Sequence, residues 1–261
     1  MIVIDGSQGE GGGQVLRTSL SLGALTQETV RIHSIRAGRS NPGLAAQHMT
    51  CCHAVAEVCG GRIEGLKLHS TEVTLYPDTI TGGEYKFDVA SVRPSAGSAS
   101  LVLQSILPLL ALAPEPSEVT VRGGTDVKWS PPYSFMANTF APAASRFGLS
   151  LDLERPRVGF YPAGRGMIRA SIRPVSGRLQ PVRLTERGTL RRAVVTSTVS
   201  DGLPRHILER QNSAAAQVLA EEGISPEREE YYLPSTSPGT VCVVNLHYDD
   251  GFAGFSSLGE K

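Results

Sequence analysis

The 261-residue sequence has no surplus of charge, because 25 basic side chains are balanced by 25 acidic ones. No long-range electrostatic attraction to nucleic acid or to a membrane surface is expected, so any contact with nucleic acid must rest on a local patch. Lysine is also scarce, since four of the 25 basic residues are lysines and the others are arginines. Arginine suits phosphate recognition through its planar guanidinium, although a coding bias explains the same ratio equally well.

Motifs for zinc, disulfides and membrane insertion are missing too. The four cysteines form no CxxC pair, and we interpret Cys51, Cys52 and Cys59, which share one predicted helix, as reduced core residues. The longest apolar run, 101–113, contains a proline and is too short to span a bilayer. The N-terminus reads as a strand and not as a signal peptide, so we expect a cytoplasmic protein with no membrane partner.

Three short segments recur in the same order at a spacing of 85 to 87 residues, which indicates a duplicated unit. The matched pairs are Gln14–Arg17 with Leu101–Gln104, Ile35–Arg39 with Val121–Thr125, and Thr74–Pro77 with Gly159–Pro162. Each unit reads as a strand, a loop of small residues, an apolar helix, a second strand, a second helix and closing strands. The predicted helices are Gln14–Thr26, Gly43–Cys59, Ser98–Ala113, Pro132–Phe147 and Arg205–Glu222.

This pattern predicts an α+β fold in which tandem repeats each consist of a β-sheet covered by two helices. We place the first unit at 1–80 and the second at 81–163. A third unit is predicted to begin at 164–178 with the strand Met167–Pro174. A small inserted α+β domain, 179–261, then interrupts this unit and is predicted to be incomplete.

A glycine-rich loop, Asp5–Gln14, connects the first strand to the first helix and contains five glycines. Glycines let backbone N–H groups approach a ligand, and a helix N-terminus favours anions, so the loop indicates an anion or nucleotide site. It lacks the Lys-Ser/Thr of a P-loop and fits the dinucleotide fingerprint poorly. The alternative is a tight connection that needs positive φ angles. Glu10 would repel a phosphate unless it held a divalent cation there.

The next turn carries Arg36 and Arg39 just before a helix, where they would grip phosphate bidentately or remain solvated surface charges. Its repeat equivalent carries Asp126 and Trp129, and Trp129 either stacks on a base or is half-buried in the protein. Gln104 takes the repeat position of Arg17, and, if buried, it needs a hydrogen-bond partner in the protein or the ligand. We interpret His48 as a packed or capping histidine, and the other histidines show no metal-binding spacing.

Five stretches together resemble the RNA 3'-terminal-phosphate cyclase family in the same order, and the resemblance covers essentially the whole chain. They are Asp5–Arg17, Ile35–Leu44, Gly123–Asp126, Gly159–Gly164 and Gly202–His206. The family fold has three repeated sheet-plus-two-helix units with a smaller domain inserted in the third.

The resemblance implies an enzyme that uses ATP and a divalent metal, Mg or Mn, to adenylate itself on a histidine. AMP then passes to an RNA 3'-terminal phosphate, and the 2'-hydroxyl displaces it to leave a 2',3'-cyclic phosphate. By position, Glu10 resembles the metal-binding acid of the family. The resemblance assigns the nucleotide or phosphate to Gln14, Arg17, Arg36, Arg39, Gln47, Gln104 and Asp126.

The sequence departs from the family in one respect that concerns catalysis. The family's nucleophilic histidine follows the inserted domain, and none of the six histidines here matches its context. We therefore expect this chain to be inactive unless a partner supplies the missing part, and exposed apolar surface at the third unit to favour self-association.

Three other functions compete with this prediction. A cyclase-like scaffold in ribosome assembly would also lack the histidine. An enolpyruvyl transferase would share the repeated units, but its lysine- and arginine-rich motifs are not seen. A purely structural repeat protein would not need the glycine-rich loop with its acid.

Overall fold

The computed structural model describes residues 1–259, and these residues form three four-stranded β-sheets with α-helices packed on them. In the first sheet the strand order is β1-β2-β4-β3, and the helices α1 and α2 precede and follow β2. The bounds are β1 Ile2–Asp5, α1 Gly13–Thr26, β2 Val30–His33, α2 Ala46–Val58, β3 Arg62–Glu64 and β4 Val73–Tyr76. The strand β1 runs parallel to β2, whereas β4 is antiparallel to both of its neighbours.

The side chains of this sheet alternate between two faces, as the period of a half-buried strand requires. Val30, Ile32 and Leu75 are buried in the core beneath the helices. On the opposite face, Arg31 Nη2 lies 2.8 Å from Glu72 Oε2 in an exposed ion pair.

The second sheet has the order β5-β6-β8-β7, with the same sequence of parallel and antiparallel pairings as the first. Its elements are β5 Gly83–Asp88, α3 Ala99–Ala111, β6 Ser117–Gly123, α4 Tyr133–Phe135, α5 Ala141–Ser145, β7 Ser150–Arg157 and β8 Gly166–Arg173. The helices α1, α2 and α3 pack against one another, so the first two sheets share one hydrophobic core.

The position of β8 corrects the predicted start of a third unit at 164–178. This strand pairs with β6 along one side and with β7 along the other, and it buries Ile168, Ala170 and Ile172 in the core shared by the first two sheets. It therefore closes the second sheet. The alternating apolar pattern that identifies a strand carries no information about which strands it pairs with, and the prediction failed for that reason.

The helix predicted over Pro132–Phe147 is interrupted by a π-helical segment, Met136–Phe140, between α4 and α5. Pro142 is the physical cause, because it lacks an N–H group and its ring excludes the carbonyl of Asn138, four residues earlier. That carbonyl is used elsewhere, since His247 Nε2 lies 2.6 Å away and donates to it. The irregular helix thus provides an attachment point for the third sheet.

The third sheet has the order β10-β9-β11-β12, which differs from that of the first two. Its elements are β9 Leu190–Ser200, α6 His206–Glu221, β10 Glu227–Leu233, β11 Thr240–Tyr248 and β12 Phe252–Leu258. The sequence did not predict β10, an edge strand whose charged start, Glu-Arg-Glu-Glu, obscures the strand pattern. The last two residues of the predicted inserted domain, 260–261, lie outside the described residues.

The four cysteines are free thiols, and the three that share a helix in the prediction are buried. In the part of the chain that the structure describes, no helix is both long enough and apolar enough to cross a bilayer.

Candidate phosphate and nucleotide site

The glycine-rich loop ends at the start of α1, where Gly12 is the N-cap and supplies no side-chain cap. The N–H groups of the first helical turn are consequently left for water or a ligand. The absence of side chains at Gly12 and Gly13 also creates room. A Cβ on Gly12 would lie 3.1 Å from Arg39 Nη2, and a Cβ on Gly13 would overlap His48 Nε2 and lie 3.1 Å from Arg17 Nη1. These two glycines allow three nitrogen-bearing side chains to gather around the helix N-terminus.

Arg17 and Arg36 form no ion pair with any carboxylate in residues 1–259. Burial lowers the pKa of Arg17, and its Nε is buried with no hydrogen-bond partner among residues 1–259. Burial, and then the neighbouring charge of Arg39, lowers the pKa of Arg36, whose Nη1 donates to the Gly43 carbonyl at 2.7 Å. A partly buried, uncompensated cationic cluster is stabilised when it binds an anion.

Glu10 lies at the open side of this cluster, with Oε2 3.4 Å from Arg39 Nη2 and a side chain that is 93% exposed. Among the described residues, no group of three or more His, Cys, Asp or Glu side chains could hold a metal ion. A single carboxylate does suit Mg²⁺ when phosphate oxygens and water complete the coordination. Glu10 therefore fits a metal that binds together with a phosphorylated ligand, and it does not fit a metal held by protein alone.

His48 belongs to the same cluster, which the sequence analysis did not predict. Its Nδ1 accepts a hydrogen bond from the Ala45 N–H at 3.3 Å, so the predicted capping role is confirmed. Burial, followed by the charges of Arg36 and Arg17, lowers the pKa of His48 from 6.5 to about 4. The available signal was its place in the first turn of α2, directly after the turn that carries the two arginines.

Gln47, the neighbour of His48, contacts the start of α3 and lines a separate cavity. Its Oε1 accepts a hydrogen bond from the Ser98 N–H at 2.6 Å, and Ser98 is the N-cap of α3. Gln47 and Ser98 also line a cavity of about 500 Å³ at the junction of the second and third sheets. Trp129 and Tyr161 line this cavity with side chains that are 93% and 76% exposed, so Trp129 is not the half-buried residue of the structural alternative.

Asp126 lies against the same cavity, but its carboxylate is occupied by the protein. Oδ2 is 2.8 Å from Arg155 Nη1 and accepts from Thr125 Oγ1 at 2.7 Å, while Oδ1 accepts from the Tyr133 N–H at 3.2 Å. Both members of the ion pair are almost fully buried. These contacts make Asp126 a residue that fixes the turn before Trp129, and they leave no unpaired oxygen for the direct nucleotide contact that the resemblance implied.

The two remaining predicted residues are exposed. Gln14 Nε2 donates to Thr18 Oγ1 at 2.9 Å on the surface of α1. Gln104 is exposed on α3 and, with Arg17, lines a cleft of about 170 Å³, so the requirement that would apply to a buried glutamine does not arise. The fold therefore brings Glu10, Arg17, Arg36 and Arg39 together, and places the predicted glutamines around them.

The family whose model matches this sequence is the RNA 3'-terminal phosphate cyclase family, with residues 8–260 matched. The chain belongs to this family. A protein of Methylococcus capsulatus named RNA 3'-terminal phosphate cyclase is 42% identical over 264 residues, covering 100% of this chain and 73% of its own length. A protein of Methanopyrus kandleri with the same name is 43% identical over 268 residues, covering 100% of this chain and 74% of its own length.

Membership of the cyclase family confirms the resemblance drawn from the five sequence stretches. It also sets aside the enolpyruvyl transferase and the purely structural repeat protein as family assignments. The match covers the glycine-rich loop from residue 8 onward, the arginine turn and the third sheet.

Proposed function

We propose that this chain binds ATP and an RNA 3'-terminal phosphate and acts in the ATP-dependent conversion of that phosphate to a 2',3'-cyclic phosphate. The observation that supports this most strongly is the uncompensated cationic cluster at the open N-terminus of α1. A site with Arg17, Arg36 and Arg39 but one exposed carboxylate, Glu10, favours a multiply charged phosphate ligand.

The neighbouring cavity would hold the base of the nucleotide. A base stacks readily on an exposed aromatic side chain, and Trp129 and Tyr161 both line the cavity beside Gln47. The arginines would orient the phosphates and offset the charge that develops during transfer. A divalent metal shared between Glu10 and the phosphates would supply further positive charge at the same position.

We assign no nucleophile for AMP transfer among the six histidines. A nucleophilic nitrogen needs a free lone pair, and His48, the histidine at the cluster, already uses Nδ1 to accept from Ala45. We therefore expect ATP binding without a covalent adenylate on any of these six histidines.

We also infer that the first two sheets are copies of one unit, with the second copy extending through Arg173. Their identical strand order and strand directions support this, as do the matched sequence segments. The third sheet has another order and is the proposed inserted domain.

The test combines ATP binding, adenylation and cyclisation. Trp129 is the single tryptophan of the chain, so its fluorescence reports ligands that enter the cavity. We expect Arg39→Ala to weaken ATP binding about tenfold or more, because a charge-assisted hydrogen bond is lost. Arg31→Ala is the matched control, since Arg31 is 46% exposed and Arg39 is 47% exposed, but Arg31 pairs with Glu72 on the opposite face of the first sheet.

Labelled ATP and 3'-phosphorylated RNA separate the possible outcomes. ATP binding that depends on Arg39, with no acid-labile AMP on the protein, is the expected result. Protein-bound AMP would show that one of the six histidines is the nucleophile and that our assignment is wrong. RNA binding without any ATP binding would favour the non-catalytic scaffold and contradict the proposal.

A further inference from the structure

We propose that His48 is a phosphate-binding residue, whose Nε2–H donates a hydrogen bond to a phosphate oxygen held at the N-terminus of α1. The inference rests on the proposed function of this site and adds to it a neutral donor among the arginines. His48 lies in the first turn of α2, and its ring reaches across to Gly13, the first residue of α1.

The tautomer of His48 follows from its contact with the backbone. The Ala45 N–H is directed at Nδ1 with a separation of 3.3 Å, so Nδ1 must present a lone pair. A neutral imidazole with an accepting Nδ1 carries its proton on Nε2. The ring is thus fixed as a donor at Nε2, and protonation of Nδ1 would bring two N–H groups against each other.

The surroundings of Nε2 indicate an anion as its acceptor. Nε2 lies directly over Gly13, close to Arg17 Nη1, and no hydrogen bond within residues 1–259 uses it. The charged groups that act on the ring are Arg17 from α1 and Arg36 from the turn before α2. Neither guanidinium can accept a hydrogen bond, and Arg17 Nε is itself buried with no partner in the described part of the chain. An oxygen of an anion would accept from His48 Nε2 together with the free N–H groups of the helix.

A neutral donor suits this position better than a fourth cation would. The site already holds partly buried guanidinium groups, and another buried charge would cost more than a hydrogen bond supplies. Because the pKa of His48 lies near 4, the ring has the same protonation state throughout the neutral range. The phosphate that it contacts comes from either ATP or the RNA 3' end, since both offer the same acceptor.

Two substitutions separate the ligand contact from the capping contact. His48→Asn places an amide oxygen near the position of Nδ1, so the acceptor for the Ala45 N–H is retained and the Nε2 donor is lost. His48→Gln places an amide N–H near the position of Nε2 and loses the acceptor. The affinity of each variant for ATP, for a 3'-phosphorylated oligoribonucleotide and for its 3'-hydroxyl counterpart is measured beside thermal unfolding.

We expect His48→Asn to unfold near the wild-type temperature and to lose roughly tenfold in affinity for the phosphate that His48 contacts, the loss of one hydrogen bond to a charged group. His48→Gln should recover part of that affinity. A loss for ATP alone identifies a triphosphate oxygen. A loss confined to 3'-phosphorylated RNA, absent with the 3'-hydroxyl form, identifies the RNA end.

Wild-type affinity in His48→Asn for both phosphate ligands would overturn the inference while leaving the proposed function intact. A loss that only follows the fraction of unfolded protein, or a His48→Gln variant that binds no better than His48→Asn, would overturn it as well. Failure of the wild-type chain itself to bind either ligand would count against the proposed function instead.

Discussion

His48 and Asp126 are ionisable side chains that the protein has buried in opposite ways. His48 is held neutral, because burial and two guanidinium groups act against its protonation. Asp126 is held against Arg155, with further hydrogen bonds from Thr125 and the Tyr133 backbone. His48 therefore keeps a donor, Nε2–H, directed at the N-terminus of α1. The Asp126 carboxylate, in contrast, is fully used by contacts within the protein.

The depressed pKa of His48 predicts a dependence of stability on pH. In the unfolded chain the imidazole titrates near 6.5, and in the folded protein near 4, so between these values the unfolded state binds more protons. Stability is therefore fully present above about pH 6.5 and falls as the pH decreases toward 4, by about 3 kcal/mol in all. Denaturant unfolding of the wild type and of His48→Asn at several pH values measures the difference.

The difference in pH dependence between the wild type and His48→Asn reports the titration of His48 alone, because the carboxylates titrate in both proteins. We expect the wild type to lose more stability than His48→Asn between pH 6.5 and pH 4. Parallel pH profiles for the two proteins would contradict the assignment of a neutral buried imidazole.

At the scale of the element, the start of α1 depends on a missing side chain. Within a helix, alanine is normally more favourable than glycine by about 1 kcal/mol. At Gly13, however, a Cβ would overlap the ring of His48, whose far end would have to move. Glycine at this position therefore allows α2, through His48, to approach the N-terminus of α1.

Gly13→Ala should weaken phosphate binding roughly tenfold with little loss of stability, because it displaces the His48 donor. Gly38→Ala is the control, since a Cβ there meets nothing within 4 Å and the residue lies in the same arginine turn. Isothermal titration with ATP compares the two variants.

A double-mutant cycle with His48→Asn tests the cause. If Gly13→Ala acts through His48, the two effects will not add. Additive losses would mean that the added methyl group blocks the ligand directly, and the element-scale account would be incorrect.

At the scale of the whole molecule, polar contacts hold the third sheet against the second sheet and its irregular helix. Arg155 Nη2, from the ion pair with Asp126, donates to Thr198 Oγ1 at 3.1 Å on β9. Thr139 Oγ1 donates to the Asn245 amide oxygen at 2.8 Å on β11. The cavity beside Trp129 lies between these sheets, so the contacts determine its shape.

Asp126→Ala should destabilise the protein by about 3–5 kcal/mol, because it leaves Arg155 buried and unpaired. Chemical denaturation followed by far-UV circular dichroism measures this loss. Asp152→Ala removes an exposed acid from the neighbouring strand β7 and should change stability by less than about 0.5 kcal/mol. Similar values for the two variants would contradict the structural role of Asp126.

The candidate site was partly predictable from local sequence. Glycines before a helix, followed by Arg36 and Arg39 in the next turn, indicated a phosphate site, and these residues do converge on α1. His48 and the occupied carboxylate of Asp126 were not predictable, because each depends on a neighbour from another element. A buried Gln104 would have needed a hydrogen-bond partner, but Gln104 is exposed on α3, so this condition does not apply.

The sequence by itself determined the helices α1, α2 and α3, the glycine-rich loop and the family, because these depend on short-range patterns and motif order. Only the tertiary structure decided that β8 closes the second sheet, that β10 forms an edge, and that His48 faces Gly13. Strand pairing and contacts between elements join residues far apart in the chain. Periodicity shows which face of a strand is buried, but the packing of the whole chain selects the partner.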